Sequence, residues 1–165
     1  MKYNKAEMAE KAPYMEAFVA SACDVIKTMA MKDAVCGNIC MLPKEGISCE
    51  IGAIIELSGS NRGATGLAMG RDLAREIVAG ITGKPDKELT LAEIRNDVLE
   101  LINMTAGGAK SRLSGTPWHF TLSIPRDCSG EMFSPALFPG AAAMTAELKV
   151  GGRSLTLITG LSHGT

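Results

Sequence analysis

Residues 90–114, TLAEIRNDVLELINMTAGGAKSRLS, constrain the fold more than any other stretch, because they spell a helix with one face that must be buried along its whole length. At about 100° per residue, Leu91, Ile94, Val98, Leu101, Ile102, Thr105 and Ala109 fall together, in the three-and-four spacing of a helix packed on a core. Thr90 followed by Glu93 is the capping-box pattern, in which each side chain satisfies a backbone N–H that the first turn leaves unpaired. The start of the helix is therefore written locally. Opposite the apolar side, Glu93, Asn96, Glu100, Asn103, Gly107, Lys110 and Ser114 form a narrow polar stripe. A helix with this pattern needs a broad apolar surface beneath it, and it leaves the stripe free to meet something else.

Alternating segments joined by short turns supply that surface. Met144, Ala146, Leu148 and Val150 alternate with Thr145, Glu147 and Lys149, and Gly151-Gly152 turns the chain into Leu155 and Leu157, which predicts a closing hairpin. Residues 48–57 place Cys49, Ile51, Ala53, Ile55 and Leu57 on one side and Ser48, Glu50, Gly52 and Glu56 on the other, so one sheet face is expected to be covered and one wetter. The turn cluster at 58–63 leads into a strand over 64–69, an antiparallel hairpin. Residues 34–42 read as a short strand interrupted by Gly37 and Asn38. Residues 118–124 read as another, with Phe120, Leu122 and Ile124 on one face and His119, Thr121 and Ser123 on the other.

Two more helices are predicted. One follows Pro13 and carries Met15, Phe18, Ala22, Ile26 and Met29; a shorter one, over 70–83, turns Leu73, Ile77, Val78 and Ile81 inward and stops at Gly83 and Pro85. Residues 1–12 are polar and are expected to fray. The order is α-β-β-β-α-α-β-β-β, with hairpins in place of strand-helix-strand crossovers. An α+β fold follows, with an antiparallel sheet of about six strands, two long helices and one short. Residues 125–140 contain Pro125, Pro135 and Pro139 and form an irregular loop, yet Met132, Phe133, Leu137 and Phe138 are too apolar for a solvated linker. The loop is expected to pack back on the domain, the alternative being an exposed contact surface.

At 165 residues the chain suits a single domain over 1–165, large enough to bury a core without metal or disulfide. A formal net charge of -1 offers no general attraction to nucleic acid or to an anionic membrane, so neither is an expected partner. The first residues, MKYNKAEMAEKAPYM, lack the apolar run of a signal peptide, and no apolar stretch is long enough to span a bilayer; the cytoplasm is the expected location. Cys23, Cys36, Cys40, Cys49 and Cys128 are an odd, irregularly spaced set, which favours reduced, mostly buried thiols over a disulfide framework. Cys36 and Cys40 lack the paired spacing of a metal knuckle, and His119 and His163 lie far off in sequence, so no metal site is expected. The glycine-rich turn at 58–63 matches neither nucleotide-binding pattern and reads as a turn.

What chemistry the stripe could support depends on Glu100 and Asn103, three apart and side by side. The carboxylate can accept from a cation, and the neutral amide can both donate to a water and accept from it. Neither is a good nucleophile, and no histidine or cysteine accompanies them on this helix. An amide that orients water does suit phosphoryl hydrolysis, whose loose transition state asks for positioning and charge neutralisation more than for proton removal. Gly107 and Gly108 together cost roughly 2 kcal/mol of helix propensity. Either Gly107 admits a partner's backbone one turn beyond Asn103, or both glycines let a strand pack close.

The string Glu100-Leu101-Ile102-Asn103-Met104-Thr105-Ala106-Gly107, with Leu113 closing the helix and Pro125 ending the next strand, resembles the signature of the CheX family of chemotaxis phosphatases. The element order also agrees over residues 13–161. The resemblance implies a CheC/CheX/FliY-type fold and an enzyme that removes phosphate from the phospho-aspartate of a CheY-like response regulator. Carried over, Glu100 pairs with a regulator lysine and Asn103 enters the regulator's active site to place the attacking water, with Asn96, Gly107 and Lys110 as partner contacts. No cofactor of its own is implied; the Mg²⁺ belongs to the phosphorylated regulator. The first long helix has no Glu-x-x-Asn, so a single site is implied, unlike CheC, and a homodimer built by joining sheets is implied by similarity alone. Where the family's pattern has Ser or Asp, four before Glu100, this chain has Asn96, which can hydrogen-bond but carries no charge. From another class, the same helix face reads as a non-catalytic module that grips a receiver domain, and the apolar loop at 125–140 as a ligand sensor.

Overall fold

A computed structural model describes residues 2–163 of the chain. In order, its elements are β1 (Lys2–Tyr3), α1 (Lys5–Lys11), α2 (Met15–Ala30), β2 (Ala34–Met41), β3 (Ile47–Ser48), β4 (Ile51–Ser58), β5 (Asn61–Met69), α3 (Arg71–Thr82), α4 (Leu91–Leu113), β6 (Thr121–Leu122), β7 (Arg126–Asp127), β8 (Met132–Phe133), β9 (Met144–Val150) and β10 (Arg153–His163). All pairings among them are antiparallel. The main sheet runs β1-β2-β9-β10-β5-β4-β6, β7 also pairs with β4, and β3 and β8 form a small sheet of their own. The α+β antiparallel fold is the one predicted; five strands are long, and the other five are two-residue pieces, of which β6 stands in the place of the sixth strand expected.

β10 is the longest strand and is paired on both sides, with β9 from Arg153↔Val150 to Thr159↔Met144 and with β5 from Thr156↔Ala68 to His163↔Asn61. The interruption at Gly37 and Asn38 is a register shift between Cys36 and Ile39, a bulge opposite β9. The helices lie on one face, α4 over β4 and β5 and α2 beside it over β2 and β10. Ile51, Ala53, Ile55 and Leu57 point into that layer together with Leu101 and Ile102 of α4.

Four expectations are corrected. The other face of β4 is wet only in part: Ser48, Glu50 and Glu56 are exposed as expected, but Phe133 and Phe138, carried by the loop that packs back, bury Ile54, Ala64, Ala68 and Ile158 in a second cluster. Residues 2–12 do not fray, because β1 pairs with β2, Asn4 and Glu7 form a capping box that opens α1, and Met8 and Ala12 are buried; residues 1, 164 and 165 of the predicted ranges lie outside the described residues. Residues 118–124 make only a two-residue strand, since the edge of β4 is served by β6 at Leu57 and Ser58 and then by β7 at Ala53 and Ile54. The chain bends between the two, and Ile124 is left 86% exposed. Leu91 has the right angular position but sits in the first turn of α4, where it remains 42% exposed.

Candidate functional site

α4 begins as its sequence dictates. The Thr90 hydroxyl accepts from the Glu93 N–H at 3.1 Å, and the Glu93 carboxylate accepts from the Thr90 N–H at 3.3 Å. Lys84 donates to Glu93 at 3.2 Å, and this bond, followed by the backbone one, holds the Glu93 carboxyl below its ordinary range. Along the floor, Ile94, Val98, Leu101, Ile102, Thr105, Ala106, Ala109 and Leu113 are buried, which adds Ala106 and Leu113 to the face read from periodicity.

Both flanks are clamped. On the α2 side, the buried Ser21 hydroxyl donates to the Thr105 carbonyl at 2.7 Å, and Arg112 pairs with Asp24. On the other side, Arg95 donates to Asp127 of β7, through Nε at 3.1 Å and also through Nη2, while the Ser129 hydroxyl donates to the same carboxylate at 2.7 Å. Burial alone pushes the Asp127 carboxyl up, but the bonds from Arg95 and Ser129 outweigh it and hold the group below the usual range. Sequence reasoning missed this strut. Arg95, Asp127 and Ser129 belong to segments with no local pattern in common, so only the tertiary fold brings them together.

The predicted ridge faces outward from this clamped rod. Asn96, Glu100 and Lys110 are exposed, and Asn103 and Gly107 are half-buried between them. No side chain of Asn96, Glu100, Asn103 or Lys110 bonds to another described residue. The two glycines part company. A Cβ at Gly107 meets open space, whereas one at Gly108 would clash with the Ser21 hydroxyl. Close packing therefore explains Gly108, against α2 and not against a strand, and leaves Gly107 unexplained by anything within the chain. Asp97, next to Asn96, is turned toward partial burial, and burial and then the Glu93 charge push its carboxyl up. A carboxylate beside a neutral amide, both unpaired on a rigid support, can bind a cation and orient a water, but holds no nucleophile of its own.

A comparison with curated proteins finds no match. The family model for chemotaxis phosphatase CheX matches residues 51–139, more than half of the chain, from β4 through the whole of α4. The chain belongs to the CheX family. Its fold is shared with CheX from Vibrio vulnificus, at 22% identity over 92% of this chain and 100% of that one, with a TM-score of 0.81. A chemotaxis protein CheX from Desulfovibrio desulfuricans matches at 18% identity over 91% of this chain and 99% of that one, TM-score 0.80. A third likeness is the CheX–CheY–BeF₃–Mg²⁺ complex from Borrelia burgdorferi, at 19% identity over 91% and 98%, TM-score 0.75. Among the described residues, no helix is long and apolar enough to cross a membrane.

Proposed function

We propose that this CheX-family chain hydrolyses the phospho-aspartate of a CheY-like response regulator in chemotaxis or related two-component signalling, with Asn103 placing the attacking water and Glu100 pairing with a regulator lysine. The observation that carries the reading is the unpartnered Glu100–Asn103 pair, outward on a helix fixed along its floor and both flanks. A rigid support matters because an amide orients water usefully only if the amide itself does not have to be ordered at the moment of reaction.

In this reaction the water oxygen attacks phosphorus in line with the aspartyl oxygen, the bond from phosphorus to that oxygen breaks, and the regulator's carboxylate departs. The Asn103 carbonyl accepts a hydrogen bond from the water and its NH₂ donates to the phosphoryl group; the water's proton ends on the phosphate product. Asn103 positions and does not act as a base, which fits a group that cannot titrate. Gly107 gives the regulator's backbone room one turn beyond Asn103, and Asn96 and Lys110 contact it at either end of the ridge. The metal comes with the regulator, as the composition of the Borrelia complex suggests, and this chain brings no cofactor. We place the protein in the cytoplasm with its regulator and infer a homodimer formed by joining sheets.

The test is phosphate release from a phosphorylated regulator with and without the protein. Asn103→Ala should lower the acceleration by about 10²-fold or more while the fold is retained. Equal acceleration by the variant would overturn the water-placing role. Binding without acceleration by either form would replace the enzyme with a receiver-gripping module.

A further inference from the structure

Two cysteines that are far apart in sequence meet between the β3–β4 turn and the segment after β7. The Cys128 N–H donates to the Gly52 carbonyl at 2.9 Å and the Gly130 N–H to the Cys49 carbonyl at 3.0 Å, so both backbones are held in register. The Cys49 thiol lies across this seam, donating to the Cys128 carbonyl at 3.5 Å and to the Glu131 carbonyl at 3.6 Å. Gly52 is what makes room for it: a Cβ there would stand 2.6 Å from the Cys49 sulfur.

The two thiols are unlike. Cys49 is half-buried and lines an open cavity of about 470 Å³ with Ser48, Glu50, Ser154 and Thr156, while Cys128 is buried. Cys49 packs against the buried cluster that contains Cys128; the Cys128 side chain, its largest influence, holds the Cys49 thiol below its ordinary range, while the Cys49 side chain and then burial push Cys128 up. One sulfur opens on solvent, and the other is buried in the cluster next to it. Cys23 and Cys36 are both pushed up, burial being the larger cause in each, followed by the Cys36 charge for Cys23 and the Glu147 charge for Cys36.

We propose that Cys49 and Cys128 form a reversible dithiol site, oxidised to a disulfide by hydroperoxides and reopened by thiol reductants. The Cys49 thiolate attacks one peroxide oxygen, the O–O bond breaks, and the departing oxygen takes up a proton and leaves as water or alcohol. This leaves a sulfenic acid on Cys49. The Cys128 sulfur then attacks the Cys49 sulfur, the S–O bond breaks, and hydroxide leaves with the Cys128 proton as water. The two sulfurs lose two electrons in all, and the peroxide gains them. The site does not depend on the phosphatase reading. It joins the loop that caps the second cluster to the start of β4, beside Asp127.

The test treats the folded protein with hydrogen peroxide, blocks remaining thiols with an alkylating agent and maps the peptides by mass. The expected result is a linked Cys49–Cys128 pair, alkylation confined to the other three cysteines, and return of all five thiols with dithiothreitol. In Cys128→Ser, Cys49 should instead stop at a sulfenic acid that a dimedone probe captures. If that variant does not fold, the native map decides alone. A map dominated by a Cys23–Cys36 link, or Cys49 over-oxidised with Cys128 still a thiol, overturns the proposal.

Discussion

Gly107 and Gly108 are neighbours in α4, yet alanine should act on them with opposite sign. At Gly107 a methyl group meets open space, so Gly107→Ala removes only the backbone-entropy penalty of a helical glycine and should stabilise the fold by about 1 kcal/mol. At Gly108 the same methyl group collides with the Ser21 hydroxyl, which is already committed to the Thr105 carbonyl at 2.7 Å. Gly108→Ala should therefore destabilise by about 1–3 kcal/mol, because α2 and α4 must move apart or the buried hydrogen bond must break. Urea denaturation of the two variants reads the difference directly, and equal shifts would mean that α2 does not press on α4 at this point. If the gain in stability at Gly107 comes with weaker regulator binding, the glycine is kept for its partner and not for its helix.

At the scale of the element, α4 is held by a charge that acts at neutral pH. Since Arg95 and Ser129 depress the Asp127 carboxyl in the folded protein, its contribution is present above the unfolded carboxyl value, near about pH 4, and is lost as pH falls through the lower folded value. Asp127→Asn should thus be less stable than the native protein at pH 7, with the gap narrowing as the solution is acidified below that range. Chemical denaturation at neutral and acid pH checks this, and a gap independent of pH would remove the strut from the account of α4. The strut also marks the limit of what local sequence conveys. The start, face and exposed ridge of α4 follow from a capping pair and a period of 3.6, both of which are properties of adjacent residues. The capping pair Asn4–Glu7 was equally present at the start of α1, but a helix of seven residues with one deeply buried methionine has too little period to stand out from a polar terminus. Ile124 shows the converse: it alternates correctly with Phe120 and Leu122, but β4 exchanges β6 for β7 just there, and alternation cannot report where a neighbouring strand changes partner.

For the whole molecule, the proposed homodimer has to use a sheet edge, and the two edges are not equivalent. Along β4 the edge is filled by β6 and β7 and broken by the bend that contains Pro125, which cannot donate to a ladder. Along β2, β1 covers only Ile39 and Cys40, so residues 34–38 have no second strand beside them among the described residues. That stretch also carries exposed apolar groups: Val35 is 64% exposed, and Met31, at the end of α2, is 82% exposed, whereas the exposed Ile124 of the other edge sits in the bend. Unpaired N–H and C=O groups beside exposed apolar side chains are the features through which two copies can pair antiparallel, each presenting the same patch to the other. A lysine placed there leaves the fold of the monomer intact, because Val35 faces outward, but sets two like charges against each other across the symmetry axis. Val35→Lys should therefore convert a dimeric protein to a monomer in analytical ultracentrifugation without lowering its thermal stability as a fold. A native protein that sediments as a monomer at high concentration, or a variant that stays dimeric, would mean that the β2 edge does not join two copies.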